Sequence, residues 1–388
     1  MQLTPLAKGL IAVIVLGTVG SVAWNLYKSN NPAQAEQSTE IVTSAAPVAK
    51  HNAETAPNTA PQSTEAKNTQ NNFNTYQSII NKGVVRVSVQ SPAKPFFYTD
   101  NGIAKGFNVE FMRLLFAQAE FTKNAKQIVI DTDHAVDTYP EVPEQLIKTD
   151  NRGNPSVDIA IDGLTFADGD LAGVVYTVPY ISDFGYTLIT GPRSTIRDIA
   201  DVTGKRIGIL QGDPDVKAYA QKNLPGAQLI ELSDATTNGA RDWMARAIHS
   251  GQVDAIIYDY PFGVSEVENT DLVMAISKLP NSDVRYKIGV RANDSELLQN
   301  LNLAISKVKE SNEYLNLLRK YFISSKVVQA GAAANGEKIY VVKSGDTLSL
   351  IATRELGDQN RYRQIEARNN LPNPNLIQVG QKLVLPKI

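Results

Sequence analysis

"SVDIAIDGLTFADGDLAGVVYTVPY", residues 156–180, decides the fold. Its opening SVDIAIDG reads as a strand, and its neighbours complete a pattern. Upstream, the β-branched run GVVRVSV (83–89) suits a buried strand and KQIVI (126–130) a further one. Between them lie a turn at TDNG (99–102) and the segment FNVEFMRLLFAQAEF (107–121). That segment sets Phe107, Phe111, Leu114 and Leu115 at helical spacing. The proline-flanked PEVPEQLI (140–147) adds a short helix. Strands alternating with helices indicate an α/β domain with mainly parallel strands.

A second alternation begins at GKRIGIL (204–210). It runs through a helix near 214–223, the strand AQLIEL (227–232), a helix around 238–250 and the strand VDAIIYD (253–259). YTLIT (186–190) and YKIGVRAN (286–293) lie between and after the two units. They imply two lobes joined by two crossings, with the helices of SELLQNLNLAISKVKES (295–311) and NEYLNLLRKYF (312–322) packing back on the first lobe.

The whole chain bounds these readings. Its 388 residues exceed one compact core and suggest two or three domains. A net charge of −2 gives no basic field for nucleic acid. The absence of cysteine excludes disulfides, a thiol nucleophile, thiolate metal sites and a lipid-modified N-terminal cysteine. Between Lys8 and Lys28, GLIAVIVLGTVGSVAWNLY (9–27) carries no charge and is long enough to span a bilayer. The rival reading is a cleaved signal peptide, with AQA (33–35) as the cleavage site. The apolar run exceeds the usual signal core, which favours an anchor over residues 1–28. Either way the rest of the chain is exported. Residues 29–75 are polar and poor in large apolar side chains, and read as a tether without a fold of its own.

Residues 326–337, which include AGAAANGE, read as a short flexible joint. A compact module follows over 338–388: strand KIYVVK, turn SGDT, helix LSLIATREL, a second helix near 360–369 and closing strand QKLVLP. SGDT bends tightly and caps the next helix, whose Leu348 and Ile351 face inward. Other signals are set aside. DTDHAVD (131–137) lacks the glycine and spacing of a calcium loop and reads as a solvated loop. His51 and His249 have no nucleophile at motif spacing. Trp243 and Met244 read as packing. No metal or cofactor is expected.

Two segments carry a family likeness. Residues 76–325 resemble the bacterial extracellular solute-binding proteins of the polar-amino-acid type. The likeness rests on GVVRVSV…PFFYTDNGIAKGFNVEF, VDIAIDGLTF…VPY, GKRIGILQG, GQVDAIIYD and the YKIGVRANDSELLQNLNLAISKVK…YLNLLRKYF ending. The resemblance implies a two-lobed, type II periplasmic-binding-protein-like fold that closes on a small ligand by hinge motion. Lobe 1 falls at about 76–188 and 290–325, lobe 2 at about 189–289. Residues 338–388 resemble a LysM module, through YVVKSGDTLSLIA and NNLPNPNLIQVGQKLVLP. That resemblance implies a βααβ domain binding N-acetylglucosamine-containing glycans such as peptidoglycan, in a groove at Gly345, Asp346, Thr347 and the Ile377–Gly380 region.

Carried onto this sequence, the solute site falls on Gln90, on an aromatic wall at Tyr139, and on Gly163 and Thr165 of the GLT turn. A helix start follows at Gln211, Asp213 and Asp215, with an amine-binding aspartate at Asp259. The residue aligned with the relatives' carboxylate-binding arginine is Asp170, of opposite charge. Like charges at about 4 Å repel by a few kcal/mol at an effective dielectric near 20, which disfavours a ligand carboxylate there. Four aspartates suit a cation such as an amine or basic peptide, with Tyr139, Tyr180 and Tyr260 as cation–π faces. The plainer alternatives are that Asp213 and Asp215 are helix caps, that Asp170 faces solvent, and that Lys94 or Lys105 restores a positive charge.

The function so implied is a membrane-anchored periplasmic binding protein for a small polar solute, held to peptidoglycan by LysM. Its implied partners are the inner membrane and an ABC-transporter permease, and nucleic acid is not among them. Cleavage of the leader makes it soluble in the periplasm instead. The alternatives are a cell-envelope scaffold or muropeptide sensor with a degenerate cleft, a LysM fold kept as a spacer, and a dehydratase-like enzyme using Asp170 and Asp259.

Overall fold

The first described residue, Asn74, caps a helix that packs on the lobe that follows it. The computed structural model describes residues 74–124, 127–232, 242–268, 270–329 and 331–387. The anchor expected over 9–27, and the tether as far as residue 73, lie outside these residues. Among the described residues no helix is long and apolar enough to cross a membrane.

In α1 (Thr75–Lys82), the Asn74 side chain accepts from Gln77 N and Gly83 ends the helix at φ 71°. The first lobe continues with β1 (Val84–Gln90), a hairpin of β2 (Tyr98–Asp100) and β3 (Ile103–Lys105), α2 (Phe107–Phe116), β4 (Val129–Val136), α3 (Glu141–Glu144), β5 (Ile159–Leu164) and β6 (Val174–Tyr176). The chain then crosses through β7 (Ile181–Phe184) into β8 (Tyr186–Thr190). The second lobe contains β9 (Arg206–Leu210), α4 (Pro214–Asn223), β10 (Gln228–Leu232), α5 (Trp243–His249), β11 (Ala255–Asp259), α6 (Tyr260–Glu268) and β12 (Val273–Ile276). The return crossing is β13 (Val284–Arg291), followed by α7 (Ser295–Lys309) and α8 (Asn312–Phe322).

The first sheet has the order β4-β1-β5-β13-β6, with β7 on β13; the second has β10-β9-β11-β8-β12. The expectation of mainly parallel strands holds for only part of each. β4, β1 and β5 run parallel, as do β10, β9 and β11, whereas β13, β6, β8 and β12 pair antiparallel. β8 and β13 lie on the crossings and enter each sheet from the other lobe, so they run against its parallel strands. The segment 131–137, expected as a loop, lies mostly in edge strand β4. An edge strand tolerates its charged, half-exposed residues because only one side of it is paired.

Each lobe opens on the same device. Arg86 at the start of β1 pairs with Asp158 at 2.6 Å, and Arg206 at the start of β9 pairs with Asp254 at 2.7 Å. In both, the arginine's own N–H also donates to that aspartate at 2.8 Å. Aromatic side chains fill the space where the lobes meet. Phe96 packs on Phe262 of α6 with centroids 4.6 Å apart, and Phe184 stacks on Tyr260 at 5.5 Å.

The last module is β14 (Lys338–Val341), α9 (Leu348–Leu356), α10 (Tyr362–Arg368) and β15 (Lys382–Leu385), a βααβ unit with its own core. The joint before it is not the loose segment expected. Val327 bridges Met274 of β12, with Met274 N donating to Lys326 O at 2.8 Å and Val328 N to Met274 O at 3.0 Å. Further on, Arg368 pairs with Glu337 at 2.7 Å and donates to Ala332 O at 3.0 Å. β12 is an edge strand with unpaired backbone groups, and the joint satisfies them.

Candidate functional site

The ends of β5 and β11 bring the strand termini of both lobes to one place. A cavity of about 420 Å³ lies there, lined by Thr165, Pro179, Tyr186, Asp213, Asp215, Asp259 and by residues 283–285 and 287 of the return crossing.

On the first lobe, the next-to-last residue of β5 is Gly163 at φ +42°, where a Cβ would stand 2.7 Å from Cε2 of Phe262. Only glycine lets the strand turn with the opposite lobe's ring against it. Behind Thr165 sits Tyr139, whose hydroxyl accepts from Thr165 N at 3.0 Å and lies 3.4 Å from Gly163 O. Its ring stacks on Phe166 with centroids 5.3 Å apart. Burial pushes the Tyr139 hydroxyl well above its ordinary range, so it stays protonated.

On the second lobe, Asp213 is the N-cap of α4 and accepts from Val216 N at 3.0 Å. Pro214 opens the helix and Asp215 lies in its first turn, as the helix dipole favours. Asp259, the last residue of β11, accepts from the Tyr286 hydroxyl at 2.7 Å. Burial above all pushes its carboxyl up to about 7; the Tyr286 bond opposes this, and Asp213 and Asp215 add to it.

Of the residues expected from the sequence, Thr165, Asp213, Asp215 and Asp259 line the cavity, with Tyr139 and Gly163 immediately behind. Gln90 does not; its amide donates to Asp137 O at 3.0 Å. Gln211 is exposed outside it. Asp170 also lies outside, on an exposed loop where it accepts from Ala167 N at 2.8 Å. It is therefore not brought together with Asp259, as a paired acid and base require. The loop 167–170 folds on its own aspartates, since Asp168 likewise accepts from Tyr176 N. Lys105 pairs with Asp100 at 2.5 Å and Lys94 lies over the Tyr98 ring at 4.8 Å, so neither lines this cavity.

Sequence reasoning missed the return crossing. Arg285 donates to Asp283 at 2.6 Å, and Lys287 Nζ donates to Phe166 O at 2.9 Å. The signal was the alternation in VRYKIGVR, which puts Arg285 and Lys287 on the face opposite Tyr286 and Ile288. Asp162 was missed as well. It is fully buried, neither carboxylate oxygen has a hydrogen-bond partner among the described residues, and burial holds its carboxyl well above the usual range.

In the last module, Gly380 N donates to Val342 O at 2.8 Å, which sets the Gln378–Gly380 loop beside the turn at Gly345. Asp346 is held by Lys343 N at 2.8 Å and Tyr340 OH at 2.7 Å, and Thr347 caps α9. Ile377 is buried in the module's core, whereas Val379 is 71% exposed.

Comparison with known proteins agrees with this geometry. The model of bacterial extracellular solute-binding proteins, family 3, matches residues 85–324, and the LysM domain model matches 340–386. An uncharacterized protein of Deinococcus radiodurans is 53% identical over 51 residues, 13% of this chain and 20% of that protein. The ABC transporter arginine-binding protein 1 of Escherichia coli strain K12 is 25% identical over 170 residues, 42% of this chain and 66% of that protein. The chain thus spans a fifth of the first relative's length and just under two thirds of the second's. A solved ancestral cationic amino acid solute-binding protein is similar at 21% identity and a TM-score of 0.48, over 64% of this chain and 100% of that one. With its two α/β lobes and the cleft between them, the chain belongs to the bacterial extracellular solute-binding proteins of family 3, and its residues 340–386 are a LysM domain.

Proposed function

We propose that this protein is an exported receptor, not an enzyme, that holds a small polar, amine-bearing, amino-acid-like solute between its lobes. It passes the solute to a membrane permease or reports its presence, and LysM tethers it to peptidoglycan. The inner-membrane anchor belongs to this proposal. A periplasmic-type solute-binding domain joined to LysM supports a place outside the cytoplasm.

The observation that carries the reading is charge arrangement. Asp259 and Lys287 share one cavity, and among the described residues neither is in an ion pair. Asp259 suits an ammonium group and Lys287, beside Thr165, a carboxylate. Four carboxylates line the cavity against two cations, and that excess acid favours a ligand of net positive charge such as a basic amino acid. The arginine-binding relative has a name consistent with such a ligand.

Thermal shifts of the exported chain with L-arginine and with agmatine, its decarboxylated analogue, test this. A ligand at about 100 times its Kd stabilises by about 2.7 kcal/mol. We expect L-arginine to act more strongly than agmatine, Lys287→Gln to erase that preference, and Asp259→Asn to remove both responses. Equal responses in the unaltered chain defeat the two-pole reading. For LysM, Val379→Glu at the exposed groove rim should lower co-sedimentation with purified peptidoglycan, and an unchanged pelleted fraction defeats the glycan reading.

A further inference from the structure

The segment from Glu366 to Leu376 of the LysM module lies against both sides of the hinge. On the second-lobe side, Asn370 Oδ1 accepts from Ser277 N and the Ser277 hydroxyl donates to Asn370 O, both at 2.7 Å. The Asn370 amide donates to Ala275 O at 3.1 Å and to Val328 O of the joint at 2.9 Å. One side chain thus ties the module, the edge of β12 and the joint together.

On the crossing itself, Lys278 Nζ donates to Asp183 O at 2.7 Å and pairs with Glu366 at 3.2 Å, where the glutamate is only 10% exposed. Asn373 donates to Ser182 O at 3.3 Å. Leu376 packs in the large core of the lobes, not with the core of its own module, and the 374–376 turn lies against α8 of the first lobe. Ser182 and Asp183 lie in β7 just before Gly185, on the outgoing crossing, and Ser277 and Lys278 are among the last second-lobe residues before the return crossing. A body fastened on both sides of a pivot constrains rotation about it.

The fastening is continuous with the proposed glycan groove. Leu376 leads directly into Ile377–Gly380, whose Gly380 N is fixed on Val342. Ordering of that loop by an occupant therefore bears on the residues pinned to the hinge. We infer that the LysM module is a hinge brace, so that glycan occupancy of its groove and rotation of the two lobes about residues 181–190 and 276–291 are linked equilibria. The inference rests on the proposed glycan reading of the groove and extends it from tethering to regulation. Coupling of this kind is reciprocal: a solute that closes the lobes changes glycan affinity by the same factor.

Amide hydrogen exchange of the exported full-length chain, with and without chitotetraose as the probe, tests the inference, with calorimetry reporting whether the oligomer binds. The expected result is at least about five-fold slower exchange in 181–190 and 274–291 when the oligomer is bound. Asn370→Ala and, from the other side, Lys278→Gln should each retain oligomer binding and lose that slowing. Binding without any change in those segments overturns the brace and leaves the glycan reading intact. The same slowing in both variants also overturns it. Failure of the oligomer to bind removes both the glycan reading and the brace built on it.

Discussion

The two lobes are built alike and end differently. VDIAIDG in the first and VDAIIYD in the second each carry at their second position an aspartate that holds the arginine of a neighbouring strand, and each runs through buried apolar residues to the cleft. At the cleft the first motif closes on sealed Asp162 and on Gly163 beneath the Phe262 ring. The second ends on Asp259, facing the cavity and bonded by Tyr286. Apolar periodicity and the paired arginine thus set a common frame. The residue that closes each motif at the cleft sets the chemistry.

The largest expected effect tests the frame. Asp158 is only 5% exposed in its pair with Arg86, whereas Asp254 is 33% exposed in its pair with Arg206. Removing Asp158 takes the acceptor from the Arg86 N–H and from its partly exposed guanidinium, at about 2–3 kcal/mol, and an exposed pair contributes roughly 1 kcal/mol or less. Asp158→Ala should lower the urea midpoint several times more than Asp254→Ala. Equal shifts break the comparison.

Gly163→Ala addresses the strand end. Its Cβ meets the Phe262 ring and its φ is positive, so a cost of about 1–3 kcal/mol is expected, together with a larger radius of gyration in small-angle scattering as the lobes part. Unchanged scattering defeats the view that Gly163 sets the approach of the lobes.

Asp259 sharpens the difference through pH. Its folded carboxyl titrates at about 7, against an ordinary 3.8, so it keeps its proton in the folded chain where the unfolded chain has lost it. The stabilisation it gives is complete below about pH 4 and is lost as the pH rises to about 7. Asp259→Asn should therefore flatten thermal stability between pH 4 and 7 and raise it near pH 8 by roughly 1–2 kcal/mol, a figure discounted for water reaching the cleft. Asp162→Asn should act in the same direction, because burial raises that carboxyl too. A slope that neither substitution changes removes the assignment.

The smallest effect bounds the rest. Lys217 and Glu231 pair at 2.5 Å on the second lobe with both side chains about half exposed. Lys217→Ala should change stability by no more than about 0.5 kcal/mol, which distinguishes the strand-opening arginines from surface ion pairs in general. A cost matching that of Asp158→Ala erases the distinction.

Much of this frame was legible in the sequence. β-branched strands, helical spacing and the order of five motifs placed the two lobes, and SGDT placed the cap of α9. Asp259 was expected only through the resemblance, which aligned the end of VDAIIYD with an amine-binding aspartate, and the structure puts that strand end at the cavity. Asp170 was harder, because a loop of short polar residues satisfies its own backbone and turns an aligned side chain elsewhere. Lys287 needed the face of a crossing strand, which depends on which lobe lies on each side. Residues 131–137 read as a loop because charge outweighs β-propensity locally, while an edge position accepts charge. The joint read as loose because composition says nothing about a free strand edge nearby.

That joint has a consequence for arrangement in space. Stitched to β12 and to Arg368, its described residues tie the LysM module to the free edge of the second lobe's sheet. If the proposed glycan reading holds, a receptor seated on a glycan strand through this module carries its cleft at a set distance from its wall contact, not on a swinging tether.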